Sequence, residues 1–232
     1  MSITLTSPSY KRIYVWEIPV RLFHWLNAAS LIVLMATGYL IGHPATLSHS
    51  AEAYQQYWFG NVRFIHFVAG YVFMLNLLIR FYWGLVGNRY ARLRTFFPKT
   101  KAEIRELWEV LRVDIFEFDR TAHPTVGHNQ LASLSYLILF VFSVFQIATG
   151  FGLYAAMSDG WVASLFGWVV PVLGGDGATR VWHHGAMWFF VLFTLVHIYI
   201  VAYHDYVEGR GTTSSMVGGW KFEREDVLDR KD

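Results

Sequence analysis

The chain has 232 residues, room for one domain, and 54% of them are apolar and 18% aromatic. A soluble protein of that size could not hide so much apolar surface, so lipid is expected to solvate part of it. A net charge of +2 argues against nucleic acid as a partner, and the absence of cysteine excludes a disulfide framework and thiolate-bound metal clusters.

The opening residues, MSITLTSPSYKR, do not read as a basic-then-apolar leader, so the first apolar stretch is expected to stay in the mature protein. That stretch, residues 19–41, is long enough to span a bilayer, which needs roughly 20 apolar residues. It carries one charge, Arg21. Residues 42–60 form a loop without lysine or arginine, and a second span is predicted over 62–86, with Arg63 and Arg80 near its ends. Residues 87–130 form a long loop with Ile104, Leu107, Trp108, Leu111 and Ile115 at helical spacing. Lys101, Arg105 and Arg112 lie between them, as in a helix resting on a membrane face. A third span, 131–157, has no charge. Next, Trp161, Leu165, Phe166 and Trp168 suggest a short interfacial segment capped by Pro171 and a Gly174-Gly175 turn. The fourth span, 181–203, is again uncharged but holds three histidines, and 204–232 form a tail.

Orientation follows from the basic residues. The loop between spans two and three holds eight of them, the tail five, and the other two loops only Arg180. The predicted fold is an all-α integral membrane four-helix bundle forming a single domain, 1–232. Both termini and the long loop are expected to be cytoplasmic, with amphipathic segments on both faces.

Histidine inside a span is costly and commonly functional. His66 and His183 are predicted near the outer ends of spans two and four, and His24 and His197 within two turns of the inner surface. His183 and His197 are 14 residues apart, close to four turns, and so share one face about 21 Å apart. His184 falls on nearly the opposite face from His197. Two bis-histidine pairs at two depths follow: His66 with His183, and His24 with His197. Each suits a six-coordinate haem that carries electrons, since neither axial position is open. Without cysteine a C-x-x-C-H attachment is impossible, so haem b would be held non-covalently. Histidines that only bond between helices are the simpler alternative. His204 reads as a surface residue, and His43, His49 and His123 as solvated loop residues. Gly38, Gly70 and Gly150 would let a flat macrocycle approach the backbone, or simply let helices touch. Arg63, on the face of His66, is a candidate for a haem propionate or an interfacial anchor.

YVWEIPVRLFHW, NVRFIHFVAG, GNRY, GHN, VWHHGAMW with His197 downstream, and SSMVGGW together resemble one family. It is the b-type cytochrome subunit of membrane-bound nickel–iron hydrogenases, in a superfamily with formate dehydrogenase cytochrome b subunits and bacterial cytochromes b561. The resemblance runs from about Tyr14 to Trp220 and differs mainly in the first outer loop and the last dozen residues. It implies two haems on His24, His66, His183 and His197. It also implies an anchor in the bacterial inner membrane for a periplasmic hydrogenase of small and large subunits. Electrons would pass from the small subunit's iron–sulfur cluster to quinone, the subunit being no enzyme on its own. An equivalent subunit of formate dehydrogenase or a b561-type quinol oxidase is the near alternative, and a haem-free anchor the distant one. A histidine-lined metal transporter would want acidic residues near the midplane, and the spans have none.

Two further sites are expected. Tyr54, Tyr57, Trp58 and Phe59 offer an aromatic surface suited to a partner on the outer face, or to an interfacial belt. His128 and Asn129, where span three enters the bilayer, could donate hydrogen bonds to a quinone; helix capping by Asn129 is the alternative.

Overall fold

The computed structural model describes residues 9–44, 57–88, 90–93, 105 and 130–225. The order is β1 (Tyr10–Tyr14), α1 (Ile18–Gly42), α2 (Trp58–Val86), α3 (Gln130–Ala155), then two short helices, α4 (Trp161–Ser164) and α5 (Val169–Val172). It continues with α6 (Asp176–Glu208), α7 (Thr212–Gly218) and β2 (Trp220–Arg224). Helices α1, α2, α3 and α6 are long and apolar enough to cross a membrane. Only 11% to 22% of the residues in their most apolar stretches are buried. Leu22, Trp25, Ile32, Leu78, Tyr82, Leu192, Leu195 and Ile198 point outward instead, as lipid allows and water would not.

The helices outrun the apolar stretches that announce them. The fourth begins at Asp176, where the carboxylate suits the first turn and Arg180 bonds to it from one turn on, Nε to Oδ2 at 2.6 Å. The third stops at Ala155, short of Met157. Pro171 lies inside α5 rather than capping the segment, while Gly174 and Gly175 make the turn with φ of 92° and 99°. The helix expected around 104–115 and the expected contacts His128, Asn129 and Tyr54 lie outside the described residues, as do His49 and His123.

The chain divides into two compact units, 1–22 with 81–137 and 198–232, and 23–80 with 138–197. In the first, β1 and β2 pair antiparallel, Tyr10 opposite Arg224 and Tyr14 opposite Trp220. Val15, Trp16, Val20 and Ala91 form its apolar centre. Trp16 Nε1 donates to Ser215 Oγ at 3.1 Å, and Arg21 donates to the Val217 carbonyl. Glu17 accepts from Trp83 Nε1 and from the Asn88 amide, both at 3.0 Å. Asn88 in turn bonds Val15, Tyr90 and Ala91. Gly219, at φ 87°, presents its carbonyl to the amides of Val15 and Trp16, and an added Cβ would strike Tyr14 and the Trp16 carbonyl. The segments holding Val15 to Glu17, Asn88 and Ser215 to Gly219 therefore meet as one clasp.

In the second unit the core is Phe73, Leu77, Phe151, Ala186, Met187 and Phe190. Phe142 stacks on Phe189 with centroids 3.9 Å apart. The buried Asn76 finds a partner on another helix: its Nδ2 donates to the Phe23 carbonyl at 3.1 Å.

Candidate haem-binding site

All four span histidines belong to the second unit, and they meet in two pairs. His66 of α2 faces His183 of α6, with ring centroids 6.4 Å apart and planes at 72°. His24 of α1 faces His197 of α6, with centroids 6.3 Å apart and planes at 53°. These separations can be set against two arrangements. Two imidazoles hydrogen-bonded to each other would bring their centroids to about 5 Å. Two bound through a ring nitrogen at about 2 Å on opposite sides of one metal put them roughly 6 to 6.5 Å apart. Both pairs fit the second case.

The surroundings also fit a flat ligand. His24 Nδ1 is buried and has no hydrogen-bond partner among the described residues. A Cβ added at Gly38 would sit 3.4 Å from His66 Cε1, and one at Gly150 would sit 3.1 Å from His183 Cε1. At Gly70, one turn beyond His66, a Cβ would meet no neighbouring side chain or helix among the described residues within 4 Å. The three glycines singled out in the sequence thus flank the imidazoles or border open space. No group of three or more metal-ligating side chains exists among the described residues, so a metal here would be one that brings its own equatorial ligands, as haem does.

Two threonines were not expected. Thr37 Oγ1 lies 2.8 Å from His66 Nδ1, and Thr149 Oγ1 lies 2.8 Å from His183 Nδ1. Each precedes one of the glycines, in Ala36-Thr37-Gly38-Tyr39 and Ala148-Thr149-Gly150-Phe151. The repeat of Ala-Thr-Gly-aromatic in spans one and three was the signal that could have found them. His184 has a neighbour that the sequence did not suggest. Off the seam, it pairs with His43, ring centroids 5.9 Å apart, and Tyr39 stacks on His43 at 4.8 Å. A Cβ at Gly42 would collide with it. His204 is half-buried beside Tyr203 rather than fully at the surface. Arg63 reaches Met157 of the loop after α3 and lies over the Phe67 ring. Trp58 and Phe59 open α2, their rings 5.6 Å apart.

The model of the prokaryotic cytochrome b561 family matches residues 15–219, which include every histidine of both pairs. The chain belongs to the prokaryotic cytochrome b561 family. A probable Ni/Fe-hydrogenase B-type cytochrome subunit of Azotobacter vinelandii is 42% identical, the match covering 94% of this chain and 91% of the relative. The protein of the same name from Cupriavidus necator is 40% identical over 92% of this chain and 88% of its own. A probable Ni/Fe-hydrogenase 1 B-type cytochrome subunit of Escherichia coli strain K12 is 36% identical over 94% of each chain. As a cytochrome b561 family member, the chain is a b-type cytochrome with four helices fit to cross a membrane.

Proposed function

We propose that this cytochrome holds two haems b, one on His66 and His183 and one on His24 and His197. In this role it anchors a nickel–iron hydrogenase at the periplasmic face of a bacterial inner membrane and delivers its electrons to quinone. The observation that carries the reading is the pair of ring separations, 6.4 and 6.3 Å, each suited to one iron between two imidazoles. A haem held there by these histidines would supply one-electron redox chemistry. The protein's part is to hold the imidazoles in place and keep water from the iron.

α6 supplies one ligand to each pair, and its 14-residue interval sets the two about 21 Å apart along the helix axis. By the charge distribution of the loops, His66 and His183 face the periplasm and His24 and His197 the cytoplasm. The first pair is then the one within reach of a periplasmic iron–sulfur cluster. Trp58 and Phe59 at the start of α2, with Tyr57, lie on that side and suit the core of the partner interface. Arg63 is the propionate candidate, because it shares the face of His66 one turn away. His128 and Asn129 are the quinone contacts at the cytoplasmic end of span three, donating hydrogen bonds to the carbonyls while lipid takes the tail. Electrons moving inward while protons are taken from the cytoplasm would make hydrogen oxidation charge the membrane.

A pyridine-haemochrome count on the purified complex tests the reading. It should give two haems per chain, falling to one in His66→Ala or His183→Ala and to one in His24→Ala or His197→Ala. A count that stays at two when His183 is replaced, or falls only when His184 is replaced, overturns the ligand set. Replacing Asn129 with Leu should leave haem reduction by hydrogen intact and lower quinone reduction by an order of magnitude or more.

A further inference from the structure

The two matched threonines carry chemistry that helix packing alone does not require. A threonine hydroxyl has one hydrogen. Thr37 Oγ1 lies 2.6 Å from the Val33 carbonyl one turn back and 3.4 Å from that of Leu34. Thr149 Oγ1 lies 2.8 Å from the Phe145 carbonyl and 3.2 Å from that of Gln146. Carbonyls only accept, so each hydroxyl hydrogen is committed to its own helix. What the hydroxyl oxygen offers the imidazole is then a lone pair, and the imidazole nitrogen facing it must carry the hydrogen. Neutral histidine protonated at Nδ1 has its remaining lone pair at Nε2, the atom that can bind a metal.

Both sites repeat the same parts on separate helices. Ala-Thr-Gly-aromatic on α1 serves a histidine on α2, and Ala-Thr-Gly-aromatic on α3 serves a histidine on α6. The two histidines close Arg-x-x-His segments, Arg63 to His66 and Arg180 to His183. Thr149 is fully buried and Thr37 nearly so, at 0% and 8% exposure, so water does not compete for either hydroxyl. The glycine after each threonine keeps the helix surface clear where the imidazole lies against it.

We infer that Thr37 and Thr149 are positioning residues that fix His66 and His183 in the Nδ1-protonated tautomer and aim both Nε2 atoms at one iron. The inference rests on the dihaem reading above. Such an acceptor makes a ligating imidazole more basic and holds its ring plane. More basic ligands favour ferric iron, so the threonines lower the reduction potential of the haem they serve.

The test is a redox titration of the intact membrane complex, followed optically and by the low-spin ferric resonance of each haem. Thr37→Val and Thr149→Val keep the shape and remove the acceptor, while Thr37→Ser and Thr149→Ser keep the hydroxyl. Each valine variant should raise the potential of the haem lost in His66→Ala and shift its ferric resonance. Its partner haem should not move, and the serine variants should restore both values. Loss of the lone acceptor should weaken haem retention on the order of tenfold. A tenfold change in ferric-over-ferrous preference is about 59 mV for one electron. An unchanged potential and resonance in both valine variants, with haem bound, would overturn the inference while leaving the dihaem reading intact. Retention of both haems in His66→Ala would overturn that reading instead. Should a valine variant fail to assemble, the serine variant and the other threonine decide: a wild-type resonance in serine and a shifted one in the remaining valine variant support the positioning role, and a failed serine variant refutes it.

Discussion

The His66–His183 pair and the His24–His197 pair have ring separations within 0.1 Å of each other, 6.4 and 6.3 Å, and are supported differently. In the first, both Nδ1 atoms meet a buried threonine oxygen. In the second, His24 Nδ1 is buried without a hydrogen-bond partner among the described residues, His197 stacks on Phe193 at 14°, and His24 stands edge-on to Trp25 at 89°. One pair is held by hydrogen bonds and the other by aromatic faces. Nearly equal separations are thus reached with different groups behind the imidazoles.

The comparison breaks most sharply under ligand removal. His183→Ala should abolish hydrogen-driven reduction of the haem on His24 and His197, because electrons must enter through the lost centre. His197→Ala should leave the haem on His66 and His183 fully reducible by hydrogen, and stopped-flow spectra of the two variants separate these outcomes. Reduction of the remaining haem in His183→Ala would show that electrons enter at the other pair.

Glycine substitutions come next. Gly150→Ala puts a methyl 3.1 Å from His183 Cε1 and should shift the ligand at a cost of about 1–3 kcal/mol, read as weaker haem retention on heating. Gly38→Ala, at 3.4 Å from His66, should cost less. A Cβ at Gly70 meets no neighbouring side chain or helix among the described residues within 4 Å, so Gly70→Ala should leave the haem-free protein at least as stable and weaken only the loaded one. Equal effects with and without haem would show that the space beside Gly70 is not used by the macrocycle.

A smaller effect sharpens the contrast in potentials. With threonine acceptors behind both of its ligands, the His66–His183 centre should titrate at the lower potential of the two, so that electrons run downhill towards His24 and His197. Assigning the two waves by the single-histidine variants checks the order. The smallest change on the haems should come from the clasp. Asn88→Ala removes bonds to Val15, Tyr90 and Ala91 and should destabilise by about 1–3 kcal/mol with both haem spectra unaltered.

The spans and the four histidines were legible in the sequence for a physical reason: apolar length and a 14-residue interval on one helix survive without any tertiary information. Helix ends were less legible, because Asp176 and Arg180 extend α6 past its apolar stretch by a local ion pair. Thr37 and Thr149 were hidden because a small hydroxyl in a membrane helix ordinarily bonds its own backbone, as these also do. Only the repeated motif distinguished them. His184 was set aside by face alone, yet a neighbouring loop-end imidazole, His43, gave it company. The clasp was invisible for another reason. Trp16 and Ser215 are 199 positions apart, and no periodicity reports a contact at that range.

That contact bears on how the protein is made. Tyr10 to Tyr14 leave the ribosome first among the described elements, and Trp220 to Arg224 leave it last. At about 5–20 residues per second the early strand waits some ten to forty seconds for its mate. Through that interval Trp16 lacks the Ser215 hydroxyl that accepts its indole N–H. The strand pairing therefore closes late: a chain truncated before Trp220 would keep α1, α2, α3 and α6 and leave Tyr10–Tyr14 without the strand it pairs with.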